Sequence, residues 1–304
     1  MYLESALKPS SNGAVIFACW GTDEFFEAMQ FEAPVHEHRL YLYHQPHLYP
    51  LARLMDQYPR YAVLIADTKA ARLLVFGRGA LLRSGRISSP QVSARAIDGW
   101  SQTRYQRHVA NYHLHHAKEI VDALDRVVRE DTIEHILLAG DEVIIPVLRE
   151  QLPHRLQEKL IAVLRLDISA SQPQVLQATL DALREHDAQA DVERVQRLMD
   201  AYRAGGRAVI GAHDTLVALN NGQVEEVIIS GSLDELHDTA EEVGTALAPD
   251  APEREGDRNG TRVVMVADQL VTRARRTGAR MRFIEDASLL AGVGGVGALL
   301  RYQL

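Results

Sequence analysis

Among 304 residues there is one cysteine, Cys19. A single thiol closes no intrachain disulfide and cannot build a cysteine zinc site. No run of about 18 or more uncharged apolar residues occurs, so no transmembrane helix is expected. The opening MYLESALKPSSNG lacks a basic stretch followed by an apolar core, so it does not read as a secretory signal and a cytoplasmic protein is expected. MYLESAL reads like the tail of a helix, ended by Pro-Ser-Ser-Asn-Gly, which suits either a small first domain or a missing natural start. Catalytic signatures are scarce as well. There is no Gly-x-Ser-x-Gly, no His-Glu-x-x-His and no acidic cluster. These absences weaken the reading as a stand-alone hydrolase or nuclease. No cofactor is expected.

Three smaller constellations carry little chemistry. His108, His113, His115 and His116 share only one helical spacing, 113 to 116, and have no obvious acid partner, so metal binding is not expected. His116 reads as a core residue and the others as part of a basic face. Asp67 and Asp141 follow apolar runs at strand ends, where α/β folds build their sites. Without a third carboxylate they read as caps or loop anchors. Gly292, Gly294, Gly295 and Gly297 lack the Lys-Ser/Thr of a phosphate loop and read as close packing.

Positive charge is short overall but concentrated. The net charge is −8, yet residues 68–130 hold eleven Lys/Arg and five Asp/Glu, leaving −14 on the remainder. Such separation suits one face for a polyanion and another for a different partner, although a merely solvated surface has the same composition.

The periodicity alternates between strand and helix. AVIFAC (14–19) reads as a buried strand, TDEFFEAMQF as a short helix or turn, and 39–59 as strand, loop and helix. YAVLIA (61–66) is a continuous apolar run, as a central strand requires. ARLLVFGRGALLRSGRIS predicts two strands joined at Gly77–Gly79. From Ser101 the pattern is helical, with Val109, Tyr112, His116, Ile120, Leu124, Val127 and Val128 on one stripe, and Ser101 or Thr103 as its cap. HILLAG, a helix, IAVLRLDIS and a long helix up to Gly205–Gly206 follow. The pattern then restarts as strand, helix, strand, an acidic stretch at 233–257, helix, strand and a glycine-rich end. The fold class is α/β and multi-domain. The expected domains are a small N-terminal one at 1–57, a central one at 58–204 and a C-terminal one at 205–304.

Three stretches carry a resemblance. HILLAGDEVIIPVLREQLPHRLQEKLIAVLRLDIS is similar to the second half of the central domain of class-one release factors and Pelota. AVIGAHDTLVALNNGQVEEVIIS resembles the start of their C-terminal domain. TGARMRFIEDASLLAGVGGVGALLRYQL resembles the end of that domain. In register, these cover residues 56–304 and identify the chain as similar to the bacterial archaeo-eukaryotic release-factor-like group, which includes the hibernation factor Balon. Residues 14–58 resemble the first part of that group and not a codon-reading domain.

The resemblance gives IDGWSQTRYQRH (97–108) a meaning. In release factors a Gly-Gly-Gln loop stands here, and its glutamine positions water against the peptidyl-tRNA ester. Glycine lets the backbone approach a crowded centre. A neutral amide orients water at any ordinary pH, and arginines hold phosphates. This chain departs from that pattern, with Gly99-Trp100-Ser101-Gln102 in its place. Gln102 is the candidate catalytic residue; it reads equally as an exposed or cap residue. Arg95, Gly99, Trp100, Ser101, Arg104, Arg107 and His108 are the candidate RNA-binding set. Trp100 either stacks on a base or folds back over its own domain. The resemblance implies a ribosome partner (rRNA, with tRNA nearby) and a translational GTPase such as elongation factor Tu on the C-terminal domain. It leaves open whether the chain occupies the A site in hibernation or rescue, or hydrolyses peptidyl-tRNA. A protein-binding scaffold, with the acidic 233–257 stretch meeting a basic partner, is the alternative outside translation.

Overall fold

The computed structural model describes the chain apart from residues 1–5, 21–24, 36–37, 43–44, 89–101, 237–257 and 303–304; of 88, 102–110 and 258–261 it describes the backbone only. The chain forms two compact units, residues 58–186 and residues 1–57 with 187–304.

In the 58–186 unit, five strands lie in the order β5-β4-β3-β6-β7, with β3 Tyr61–Ala66, β4 Ala70–Gly77, β5 Ala80–Ser88, β6 His135–Gly140 and β7 Leu160–Leu164. The continuous apolar run of β3 is explained by its place. It sits at the middle of the sheet, antiparallel to β4 and parallel to β6, with all six residues buried. Ala62, Leu64 and Ala66 pack on helix α2 (Gln102–Glu130), while Tyr61, Val63 and Ile65 face the other side, toward Val175 and Leu183 of α5 (Gln172–Arg203). Arg78 and Gly79, both at positive φ, make the β4–β5 turn where the glycines indicated one. Helix α3 (Ile144–Gln151) and the short α4 (His154–Gln157) join β6 to β7.

In the other unit, β8 Ala208–Ile210, β9 Val224–Ser230, β10 Arg280–Ile284 and β11 Val296–Leu300 form a sheet ordered β10-β9-β11-β8. Helices α6 (Ala212–Asn220) and α7 (Arg258–Thr277) bury one face of it through Leu216, Leu219, Val266 and Leu270. Val195 and Leu198 of α5 bury the other, with Leu290 and Val293. Helix α1 (Tyr49–Gln57) adds Tyr49 to the first of these cores.

Two expectations are corrected. Residues 39–42, read as the strand before the loop and helix of 39–59, carry no strand. TDEFFEAMQF is not helical over its described part. Phe25–Phe31 is strand β2, antiparallel to β1 (Gly13–Cys19), with Val15 opposite Met29 and Cys19 opposite Phe25. Its mixed spacing fits a helix locally, but cross-strand pairing with an apolar neighbour overrides that weak preference. Among the described residues no helix is long and apolar enough to cross a membrane.

Candidate functional site

Helix α2 dominates the basic part of the chain. It starts at Gln102 and runs 29 residues, roughly 43 Å at 1.5 Å per residue. Its stripe of His116, Ala117, Ile120, Val121, Leu124, Val127 and Val128 is buried, against Leu64, Leu73, Val75, Ile136 and Leu138 of the sheet. In the turn before it, Asn111 and His115 are exposed and Tyr112, His113 and Leu114 are half-buried. The helix is thus clamped by its C-terminal half. His115 pairs with Glu119 at 3.4 Å, and burial lowers the pKa of His116 against the raising effect of the Asp67 backbone. His116 is the core histidine the sequence suggested.

Much of the positive charge in 68–130 is used within this unit. Arg72 donates to the carbonyls of Ile168 and Ala170, both at 2.7 Å. Arg83 pairs with Glu130 at 2.9 Å and Asp131 at 3.4 Å. Asp125, nearly buried, holds both Arg129 and Arg155. Arg86 and Arg126 are exposed and have no ion-pair partner among the described residues. With Arg83 they rim a shallow cleft of about 150 Å³ between β5 and α2, floored by Leu73, Val75, Ile87 and Val127.

The aspartates at the strand ends are turn caps. Asp67 Oδ1 accepts from the Lys69 and Ala70 amides, each at 2.7 Å. Asp141 Oδ1 accepts from Val143 and Ile144 at 3.0 and 2.8 Å, closing the start of α3. Both carboxylates are committed to backbone. The glycine-rich end is close packing: Gly294 and Gly295 have positive φ, and a Cβ on Gly295 would stand 2.8 Å from the Glu235 carbonyl.

The unit with the C-terminal sheet is held by buried charges. Asp56 of α1 pairs with Arg282 at 2.9 Å and accepts from the Phe283 amide, yet burial raises its pKa. Burial also lifts Asp191 to about 6, against Arg194 at 2.7 Å. Arg194 in turn approaches Glu226 of β9, which also pairs with Arg197. His47 and Asp268 form a further pair.

Two family models match this architecture. Residues 46–184 match Bacterial archaeo-eukaryotic release factor family 10, and residues 188–304 match eRF1 domain 3. The chain belongs to a release-factor-like family. Curated relatives of that family include the eukaryotic peptide chain release factor subunit 1 of Schizosaccharomyces pombe, 23% identical over 85% of this chain and 66% of the relative, and that of Saccharomyces cerevisiae, 24% identical over 80% and 63%. The chain thus spans just under two thirds of these relatives' length. Among solved structures, Dom34 of S. cerevisiae, a translation termination-like factor in RNA quality control that interacts with Hbs1, is 10% identical with a TM-score of 0.50, covering 83% of this chain and 65% of that one. That likeness concerns the fold.

The candidate residues of this release-factor-like chain fall unevenly. Arg95, Gly99, Trp100 and Ser101 lie outside the described residues. Gln102, Arg104, Arg107 and His108 have helical backbone, so the 97–108 stretch is not loop throughout: helix starts at Gln102. Thr103 is inside the helix and cannot cap it. Their side chains lie outside the description. Sequence reasoning missed the Arg86–Arg126 cleft, whose two cations are forty residues apart and line it together because α2 packs on the sheet of which β5 is the edge strand. It also missed the role of 46–57. The first family model includes α1, whose Tyr49 belongs to the core of the C-terminal sheet.

Proposed function

We propose that this release-factor-like protein binds the ribosome and presents the N-terminal end of α2, with the 97–101 stretch before it, to ribosomal RNA near the peptidyl-transferase centre. The observation that carries the reading is the start of a 29-residue helix at Gln102, whose fully buried side chains among the described residues begin at His116. Arg104, Arg107 and His108 are spaced i, i+3, i+4, so they share one face of that helical start. The positive end of the helix dipole adds to them. A rigid helix carrying cations at its leading end suits a polyanion. Arg86 and Arg126 extend the same chemistry.

Within this reading the chain occupies the A site, in hibernation or rescue, with rRNA as its main contact and tRNA beside it. The absence of the paired glycines and the presence of Trp100 favour occupation over chemistry. A second reading, peptidyl-tRNA ester hydrolysis by Gln102, keeps its support from the placement of this glutamine beside a release-factor-like central fold. The 188–304 match to eRF1 domain 3 supports a translational GTPase, of the elongation factor Tu kind, as partner of the C-terminal unit. All of this belongs in the cytoplasm.

The test is co-sedimentation with 70S ribosomes from growing and starved cells. Arg104→Glu with Arg107→Glu removes two cations and adds two anions on one helix face, and is expected to abolish pelleting while the circular dichroism spectrum is unchanged. Wild-type binding should weaken steeply with salt, by about 0.7–0.9 in log–log slope for each phosphate contact. Pelleting of the double variant equal to wild type at moderate salt removes the RNA-face reading.

A further inference from the structure

The β1–β2 ribbon has a composition unlike the rest of the chain. Between Pro9 and His38 there is no lysine or arginine, while five Asp/Glu occur. Its far end is aromatic. Trp20 is 99% exposed, and Phe25 is more than half exposed. Ile16 is exposed too. Cys19 stands opposite Phe25 and Phe17 opposite Glu27. Paired residues share a face of a ribbon, as do residues two apart. Phe25 and Glu27 are therefore neighbours on one face, a large apolar group beside a carboxylate.

This is an unfavourable arrangement for a surface left in water. A two-stranded ribbon is marginal by itself, and large aromatic groups are normally covered. The sheet of two strands gains no third strand among the described residues. An RNA surface is a poor cover, because the stretch offers phosphates only negative charge. A lipid surface with anionic headgroups is excluded on the same ground.

We infer that the far end of the β1–β2 ribbon is a protein-docking element, whose partner is a basic protein surface with apolar cover for Trp20 and Phe25. The inference rests on the ribosome reading for its setting: the ribbon contacts a ribosomal protein, not rRNA, and so makes a contact separate from the cationic start of α2. Buried aromatic anchors with a charged rim are the usual energetic centre of such interfaces. The carboxylate of Glu27 supplies the rim and sets the sign of the partner's charge.

The experiment uses the full-length protein with p-benzoylphenylalanine in place of Trp20, irradiated on purified 70S ribosomes and analysed by mass spectrometry and primer extension. The expected product is a crosslink to a lysine- and arginine-rich ribosomal protein. In parallel, ribosome affinity is measured for Trp20→Ser with Phe25→Ser, expected to fall about tenfold or more, and for Trp20→Phe, expected to stay near wild type. Glu27 is exposed, so Glu27→Lys is expected to leave the fold intact. It weakens binding to a basic protein but tightens binding to RNA. Binding with crosslinks to rRNA or to a second copy of the chain, or with no crosslink, overturns the inference and leaves the ribosome reading standing, as does tighter binding by Glu27→Lys. Failure of the wild type to bind ribosomes overturns both.

Discussion

His47 Nδ1 sits 2.8 Å from Asp268 Oδ2, joining residues 221 apart in the chain. The other carboxylate oxygen accepts from the Leu48 and Tyr49 amides at 2.8 and 2.9 Å. Those amides open helix α1, so Asp268 of α7 caps a helix far away in sequence. A carboxylate there also suits the positive end of the helix. Through this cap Tyr49 is set into the core, its hydroxyl donating to the Ser230 carbonyl.

Asp268→Ala leaves three donors without their acceptor in a nearly buried place. The expected loss is about 2–4 kcal/mol of stability. Asp268→Asn keeps an acceptor oxygen and should fall between. Urea unfolding measures both, and limited proteolysis should show faster cleavage in residues 38–48 of the alanine variant. A loss under about 0.5 kcal/mol would mean that α1 is held by its apolar contacts alone.

The buried acids give a pH dependence of definite sign. Asp191 titrates at about 6 in the folded chain because burial outweighs Arg194, against about 3.9 unfolded. Between these values the folded state binds more protons. Stability should therefore fall as pH rises from about 4 to about 6, and level off above, by roughly 3 kcal/mol at most. Asp56, also raised by burial, acts in the same sense. Asp191→Asn is expected to flatten this slope in thermal melts across pH 4–7. An unchanged slope assigns the effect elsewhere.

Gly140 is expected to be irreplaceable in the central unit. Its φ is +142°, and a Cβ would lie 1.9 Å from the Ala66 carbonyl, its register partner on β3. Only separation of β3 and β6 makes room, and those strands carry the centre of the sheet. Gly140→Ala should cost about 2–4 kcal/mol. A variant that melts within two degrees of wild type would contradict this close approach.

What could be read in the sequence follows a physical rule. YAVLIA and the stripe from His116 to Val128 were legible because a buried strand and a one-sided helix each repeat locally. The motifs of 135–169 and 207–304 were legible because their order matches a family. FFEAMQF was misread because its pairing with GAVIFAC is set by another segment of the chain, not within its own. The Asp268 cap and the Arg86–Arg126 cleft leave no local trace, since each joins distant stretches through the fold. The helical backbone from Gln102 was half legible. The stripe indicated a helix from Ser101, while the resemblance to the release factors' Gly-Gly-Gln loop carried the loop on to His108.

The last expectation separates occupation from catalysis. Gln102 is the first helical residue, so its backbone is tied to a long, clamped rod. A water-positioning amide must reach the ester carbon through a stretch slim enough to enter a crowded RNA centre. Here only Gly99 lacks a side chain, and Trp100 adds bulk beside it. An indole obstructs close backbone approach but can stack on an unpaired base, worth about 1–3 kcal/mol. The protein should therefore bind ribosomes and release peptide poorly. Gln102→Ala should leave affinity nearly unchanged. Trp100→Gly should weaken it more, by about fivefold to a hundredfold on that stacking energy. Peptide release from ribosomes carrying peptidyl-tRNA, well above background and lost in Gln102→Ala, would reverse the assignment. The glutamine would then be the reacting group, and the tryptophan its neighbour in a working site.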